Sequence, residues 1–215
     1  MIVTKKYIAK FTINLPIYRY SQLELTLYGE SPNPLSQGLE FGRQMFKYQI
    51  KSSDILPEVK IVTPDTFEDY RGEMWTYWEQ SYDLLPNGYD FKISKFTRSR
   101  KNVLRGLHGD NFTWKHITCV SGELYLVVVD YRPESINYLK WESFLLNDRN
   151  HKSVLVPENF LNGHLCLSDE CVFHYTQSYP KKYVDVEEQT TVRYDDERIK
   201  IHWPINTPIL SERDL

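Results

Sequence analysis

Short apolar-alternating or β-branched runs recur about every ten residues along this chain, with turn residues between them. LELTL (23–27), VKIV (59–62), YDFKISKF (89–96), LYLVVVD (124–130), SVLVP (153–157), CVFHY (171–175) and IKIHW (199–203) each read as a strand. No convincing amphipathic helix longer than two turns stands among them, which argues against βαβ units. The pattern predicts an all-β sandwich or barrel. Tyrosine is the commonest aromatic, at 16 residues, and flat rings pack well across pleated strands.

The polar, proline-bearing KSSDILPE near 50–58 is the one internal boundary the sequence suggests. It separates an N-terminal, strand-rich extension (residues 1–57, role unassigned) from a body of residues 58–215. At 215 residues the chain suits one generous domain. A net charge of −3 gives no basic footprint for nucleic acid and no polybasic membrane patch. An anionic ligand must therefore be held by a few placed Arg and Lys side chains. No apolar run approaches the ~18 residues of a membrane span, and the first 20 residues lack the pattern of a signal peptide. Cys119, Cys166 and Cys171 form no C-x-x-C pair and read as buried free thiols, which predicts a reducing, cytoplasmic compartment.

The stretch RSRKNVLRGLHGD (98–110) is the most informative. Arg98, Arg100, Lys101 and Arg105 precede a glycine and then His108. One reading is a solvated basic loop with a surface histidine; the other puts Arg105 beside an anion and His108 in the same cavity. Regular strand alternation sends Arg105 and His108 to opposite faces unless a bulge intervenes, so periodicity leaves both readings open.

In order along the chain come VLRGLH (103–108), WKHITCVSGELYLVVVDYR (114–132), S-x-x-Y-x-x-W (135–141), P-x-x-F (157–160), FHYTQSY (173–179), YDDERIKIHWP (194–204) and LSERD (210–214). Together they resemble the successive signature segments of the dTDP-4-dehydrorhamnose 3,5-epimerase family, over roughly residues 58–215. The resemblance implies a cupin-type jelly-roll fold, a homodimer and a nucleotide-diphosphate 4-keto sugar as substrate. It implies inversion at C3, C5 or both of a 4-keto-6-deoxy sugar, by proton removal and return through an enolate. That route needs no cofactor, because it neither gains nor loses electrons.

By the same resemblance His108 is the base, and an imidazole with an ordinary pKa of ~6.5 suits that task. Asp214 pairs with it and fixes its tautomer, as the acid does in a serine-protease triad. This requires the polar C-terminal segment, which would look frayed by position alone, to fold back over the site. Lys115 stands by the developing O4 charge, and Tyr175 returns the proton on the far face. Arg71, Arg105, Asn162, Glu188 and Arg213 are the implied substrate contacts, with arginine suited to phosphate. No histidine group has the H-x-H and downstream Glu of cupin metal centres, so no metal is expected.

The departures fall among the recognition positions. Thr76 stands where the family carries a glutamate, Ile93, Ser94 and Lys95 replace Q-D-N, and NFLNGHL (159–165) replaces G-F-A-H-G-F, moving the histidine from 162 to 164. A different base or sugar is therefore open. Two other readings also remain: a ketoisomerase on a related 4-keto sugar nucleotide, and a non-catalytic sugar-nucleotide-binding barrel.

Overall fold

The computed structural model describes residues 48–215; the strand expected at LELTL (23–27) lies outside them. Along the chain run β1 (Tyr48–Ser52), β2 (Lys60–Pro64), β3 (Thr66–Asp69), β4 (Gly72–Trp75), β5 (Phe91–Arg100), β6 (Leu104–Gly109) and β7 (Trp114–Ser121). Then follow β8 (Glu123–Asp130), β9 (Trp141–Asn147), β10 (Ser153–Val156), β11 (Phe160–Cys166), β12 (Glu170–Ser178) and the short β13 (Thr190–Thr191). One antiparallel sheet has the order β1-β2-β10-β7-β12-β5, a second has β13-β6-β11-β8-β9, and β3 and β4 form a separate hairpin.

The continuous apolar run of β8 explains how these layers stack. Leu124, Leu126 and Val128 point into the core between the sheets, against Ile117, Val154 and Phe173 of the first sheet. Val127 and Val129 point the other way, into a second cluster with Leu107 and Leu161. A strand covered on both faces needs no polar alternation. The cover on the outer face is the segment expected to be a strand at IKIHW (199–203). It is not one, because Lys200 takes a left-handed φ of 55° that breaks the extended backbone. Its alternating apolar residues are nonetheless used: Ile199, Ile201 and Trp203 pack on the outer cluster.

Residues on the N-terminal side of the expected boundary pack with the body. β1 pairs with β2 through five registered positions, and Leu56 is fully buried in the central core. Residues 48–57 look like a linker in sequence because four of the five residues of β1, the end strand of its sheet among the described residues, are exposed. The three cysteines are free and buried. Among the described residues no helix is long and apolar enough to cross a membrane.

Candidate functional site

A bulge in β6 settles how Arg105 and His108 share a cavity. Asn162 of β11 faces His108, but His164, two residues on, faces Arg105, three residues back. The extra residue on β6 turns both side chains toward the inter-sheet space, while Leu107 is buried in the outer cluster. Gly106 makes this possible. It sits at φ +121°, and a Cβ there would come within 2.5 Å of the Gly163 Cα. The two glycines let β6 and β11 approach closely where the ladder is irregular.

The cavity has a volume of about 200 Å³. Lys95, Thr97, Lys115, Phe173, Tyr175 and Gln177 line it from the six-stranded sheet, and Arg105, His108 and His164 from the five-stranded one. Tyr183, Val186, Gln189 and Arg213 complete the rim. Four lining side chains are cationic and none is a carboxylate, so the space suits an anion.

The segment containing LSERD does fold back. Val103 and Ile209 form a parallel bridge, Leu104 N–H donates to the Ile209 carbonyl, and residues Glu212–Asp214 make one 3₁₀ turn. That turn delivers Asp214, 3% exposed, to His108, whose Nε2 lies 2.7 Å from Oδ1. Ser211 Oγ donates to Oδ2 at 2.8 Å. Burial raises the Asp214 pKa, but the bonds from His108 and Ser211, the His108 charge and the Gly106 N–H outweigh it, so the carboxyl sits below its ordinary value. A carboxylate on Nε2 fixes the proton on that nitrogen and leaves Nδ1 to accept another.

Lys115 is buried beneath this pair. Its Nζ donates to Asn162 Oδ1 at 2.8 Å and to the His108 carbonyl at 3.3 Å. Burial pulls its pKa down to about 8, with Asp110 opposing and Arg213 reinforcing the fall. Tyr175 lies on the same six-stranded sheet as Lys115, across the cavity from His108; burial raises its phenol above the ordinary value, Lys95 pulls the other way, and Tyr183 adds to the rise. Arg105 is braced by Ser99 Oγ at 3.1 Å, and Arg213 donates to Thr191 and Gln189 at 3.2 Å.

The structure does not bring Arg71 or Glu188 to this cavity. Arg71 occupies the turn between β3 and β4, held at 2.5 Å by Asp69 with its side chain 69% exposed. Glu188 pairs with Lys182 at 2.8 Å and faces a separate hollow beside Asp110 and Asn159. A larger depression of about 480 Å³ around Tyr131 and Val192 is lined by two paired cations, Arg193 with Asp195 and Arg198 with Asp196, and by the carboxylate of Glu197, so it offers an anion no free positive charge. Sequence reasoning placed Lys95 only as a departure at a recognition position and missed Gln177 and Tyr183 as lining residues. For Lys95 and Gln177 a signal exists: register places Lys95 opposite Tyr175, and Gln177 lies two residues beyond it on the same face. Among the described residues no group of three His, Cys, Asp or Glu converges as a metal site would require.

The sequence model described as dTDP-4-dehydrorhamnose 3,5-epimerase matches residues 54–215. The chain belongs to this family. The Escherichia coli K12 dTDP-4-dehydrorhamnose 3,5-epimerase is 36% identical over 165 residues, 74% of this chain and 88% of that protein. A Streptomyces niveus dTDP-4-dehydrorhamnose 3-epimerase is 30% identical, covering 71% of this chain and 75% of that one. The dTDP-6-deoxy-D-glucose-3,5-epimerase of Legionella pneumophila, solved in complex with dTDP-4-keto-L-rhamnose, superposes with a TM-score of 0.72 at 28% identity, covering 78% of this chain and 90% of that one. The sandwich of this family member is accordingly a cupin-like jelly roll.

Proposed function

We propose that this chain epimerises C3, C5 or both of a nucleotide-linked 4-keto-6-deoxy sugar. One observation carries the reading: an oriented imidazole and a phenol stand on opposing sheets of one cationic cavity. The 4-keto group acidifies the hydrogens on C3 and C5. His108 removes one through the nitrogen opposite Asp214, and the imidazolium formed is held by that carboxylate. Lys115 faces the developing O4 charge. A preorganised cation lowers the energy of the enolate more than that of the ketone, and only such differential binding accelerates the step. Tyr175 then protonates the carbon from the other face, which inverts the centre.

Arg105 and Arg213 are the contacts for the diphosphate, and Asn162 acts by aiming Lys115. The cavity lies below the ~300–1,000 Å³ usual for whole ligands; it takes the sugar ring, and the nucleotide extends past the rim. The buried free thiols favour a cytoplasmic site of action. Among the described residues β1 and β5 stand at the ends of their sheet, and open edges favour pairing with a second copy. A homodimer is the expected sedimenting species, and a monomer at micromolar concentration would count against it.

The test is incubation in D₂O with dTDP-, UDP- and GDP-linked 4-keto-6-deoxy sugars, followed by proton NMR. Deuterium entering at both carbons identifies a 3,5-epimerase, and entry at one identifies a mono-epimerase. Isomerisation of the keto group favours the ketoisomerase, and binding without exchange favours a non-catalytic barrel. Tyr175→Phe is expected to slow epimerisation by about 10²–10⁴-fold, the usual worth of a general acid, while part of the exchange survives because the enolate still forms. Parallel loss of both rates would remove Tyr175 from the donor role.

A further inference from the structure

The cavity holds one more cation than the reaction just described uses. Arg105 and Arg213 face the diphosphate and Lys115 the enolate, which leaves Lys95 without a task. The register of the β5–β12 pair places Lys95 directly opposite Tyr175. Directly opposed residues have Cβ atoms ~4.5–5.5 Å apart on one face of the sheet, and both of these side chains line the cavity. Lys95 Nζ also donates to the Tyr183 hydroxyl at 2.5 Å and lies 4.3 Å from the centre of that ring. Lys95 is only half-buried, so its end of the cavity touches solvent through the rim.

We propose that Lys95 is a positioning residue for the proton donor: its ammonium, braced by Tyr183, holds the charge that appears on Tyr175 when the phenol gives up its proton. The inference rests on Tyr175 being that donor. In the step, the Tyr175 O–H bond breaks, its electron pair stays on the phenolate oxygen, and a C–H bond forms at the former enolate carbon. The phenolate is re-protonated from water at the rim, and the His108 imidazolium releases the proton it took, so the enzyme returns to its starting state with no oxidant or reductant.

The charge environment agrees with this placement. Burial pulls the Lys95 pKa down, but the Tyr183 hydroxyl and the nearby Tyr175, Tyr183 and Asp185 outweigh it, so the ammonium is retained. Lys95 in turn opposes the rise that burial imposes on the Tyr175 phenol. A buried phenol without such a partner would be a reluctant donor, because its conjugate base would be stranded away from water.

The test compares wild type, Lys95→Met and Lys95→Arg, with dTDP-4-keto-6-deoxyglucose as probe in D₂O. Exchange of the substrate hydrogen is measured separately from formation of the inverted sugar. Lys95→Met is expected to lower kcat for inversion on the order of tenfold, the size of one partly solvated charge contact, with exchange and KM within about twofold; Lys95→Arg should recover most of the loss. A rise in KM with kcat unchanged would make Lys95 a substrate contact and overturn the proposal. An unchanged ratio of inversion to exchange in Lys95→Met would overturn it too. Absence of exchange in wild type with the dTDP-, UDP- and GDP-linked sugars alike would reject the underlying reaction itself, and this inference with it.

Discussion

His108→Ala is expected to abolish deuterium entry at both C3 and C5, a loss of at least about 10³-fold, within the range that general bases supply. The cavity offers no substitute. His164 is the one other imidazole on its wall, stacked on Phe173 with ring centres 4.1 Å apart. Burial foremost, with Arg105 and His108 adding to it, drives its pKa down to about 3. A base that weak leaves a carbon acid untouched at neutral pH. Lys115 is a cation at pH 7, and Asp214 stands behind the imidazole rather than at the substrate. His108 is partly exposed, with 19% of its side chain accessible, so its truncation should leave the fold intact. Proton NMR in D₂O reads the result, with circular dichroism confirming the fold; exchange at the wild-type rate would remove this mechanism.

Lys115→Met should lower kcat by about 10²–10³-fold, the usual cost of losing one preorganised oxyanion donor. The pH dependence makes the prediction sharper. Burial first of all holds the Lys115 pKa down to about 8, so wild-type kcat should fall as pH rises through that value and the ammonium is lost. Stability should move the other way. A lysine whose folded pKa lies below its unfolded value of ~10.4 binds fewer protons in the folded state between those limits. Its contribution is unfavourable below pH 8 and relieved as pH rises toward 10. In Lys115→Met the residual activity should lack that limb, and its stability should lack that rise. An unchanged alkaline limb in the variant would assign the limb to another group.

The all-β class is legible in the sequence because strands covered on both faces, such as β8, leave runs that no helix period fits. The roles proposed for His108, Asp214 and Tyr175 are legible only through resemblance to a known family, since single side chains carry no periodicity. Geometry is hidden for a different reason. Whether Arg105 and His108 share a face depends on one extra residue in β6, and that depends on the missing side chains of Gly106 and Gly163 on separate strands. Arg71 and Glu188 match family positions, but in the structure they pair with Asp69 and Lys182 outside the cavity, which a motif match does not reveal. IKIHW has the alternation of a strand and does its burial, while a single left-handed residue keeps it from pairing.

The segment through Ile209 to Asp214 separates two properties that usually travel together. The sandwich owes its cohesion to the core between its sheets, whereas the imidazole owes its orientation to a strap fastened by backbone bonds at Asn102 and Leu104 and by the Arg213 side chain on Gln189 and Thr191. Such a strap can open at a free-energy cost well below that of global unfolding. The active fraction of folded molecules is then the fraction with the strap docked. Weakening the strap alone would dim turnover in a protein that still melts at its usual temperature.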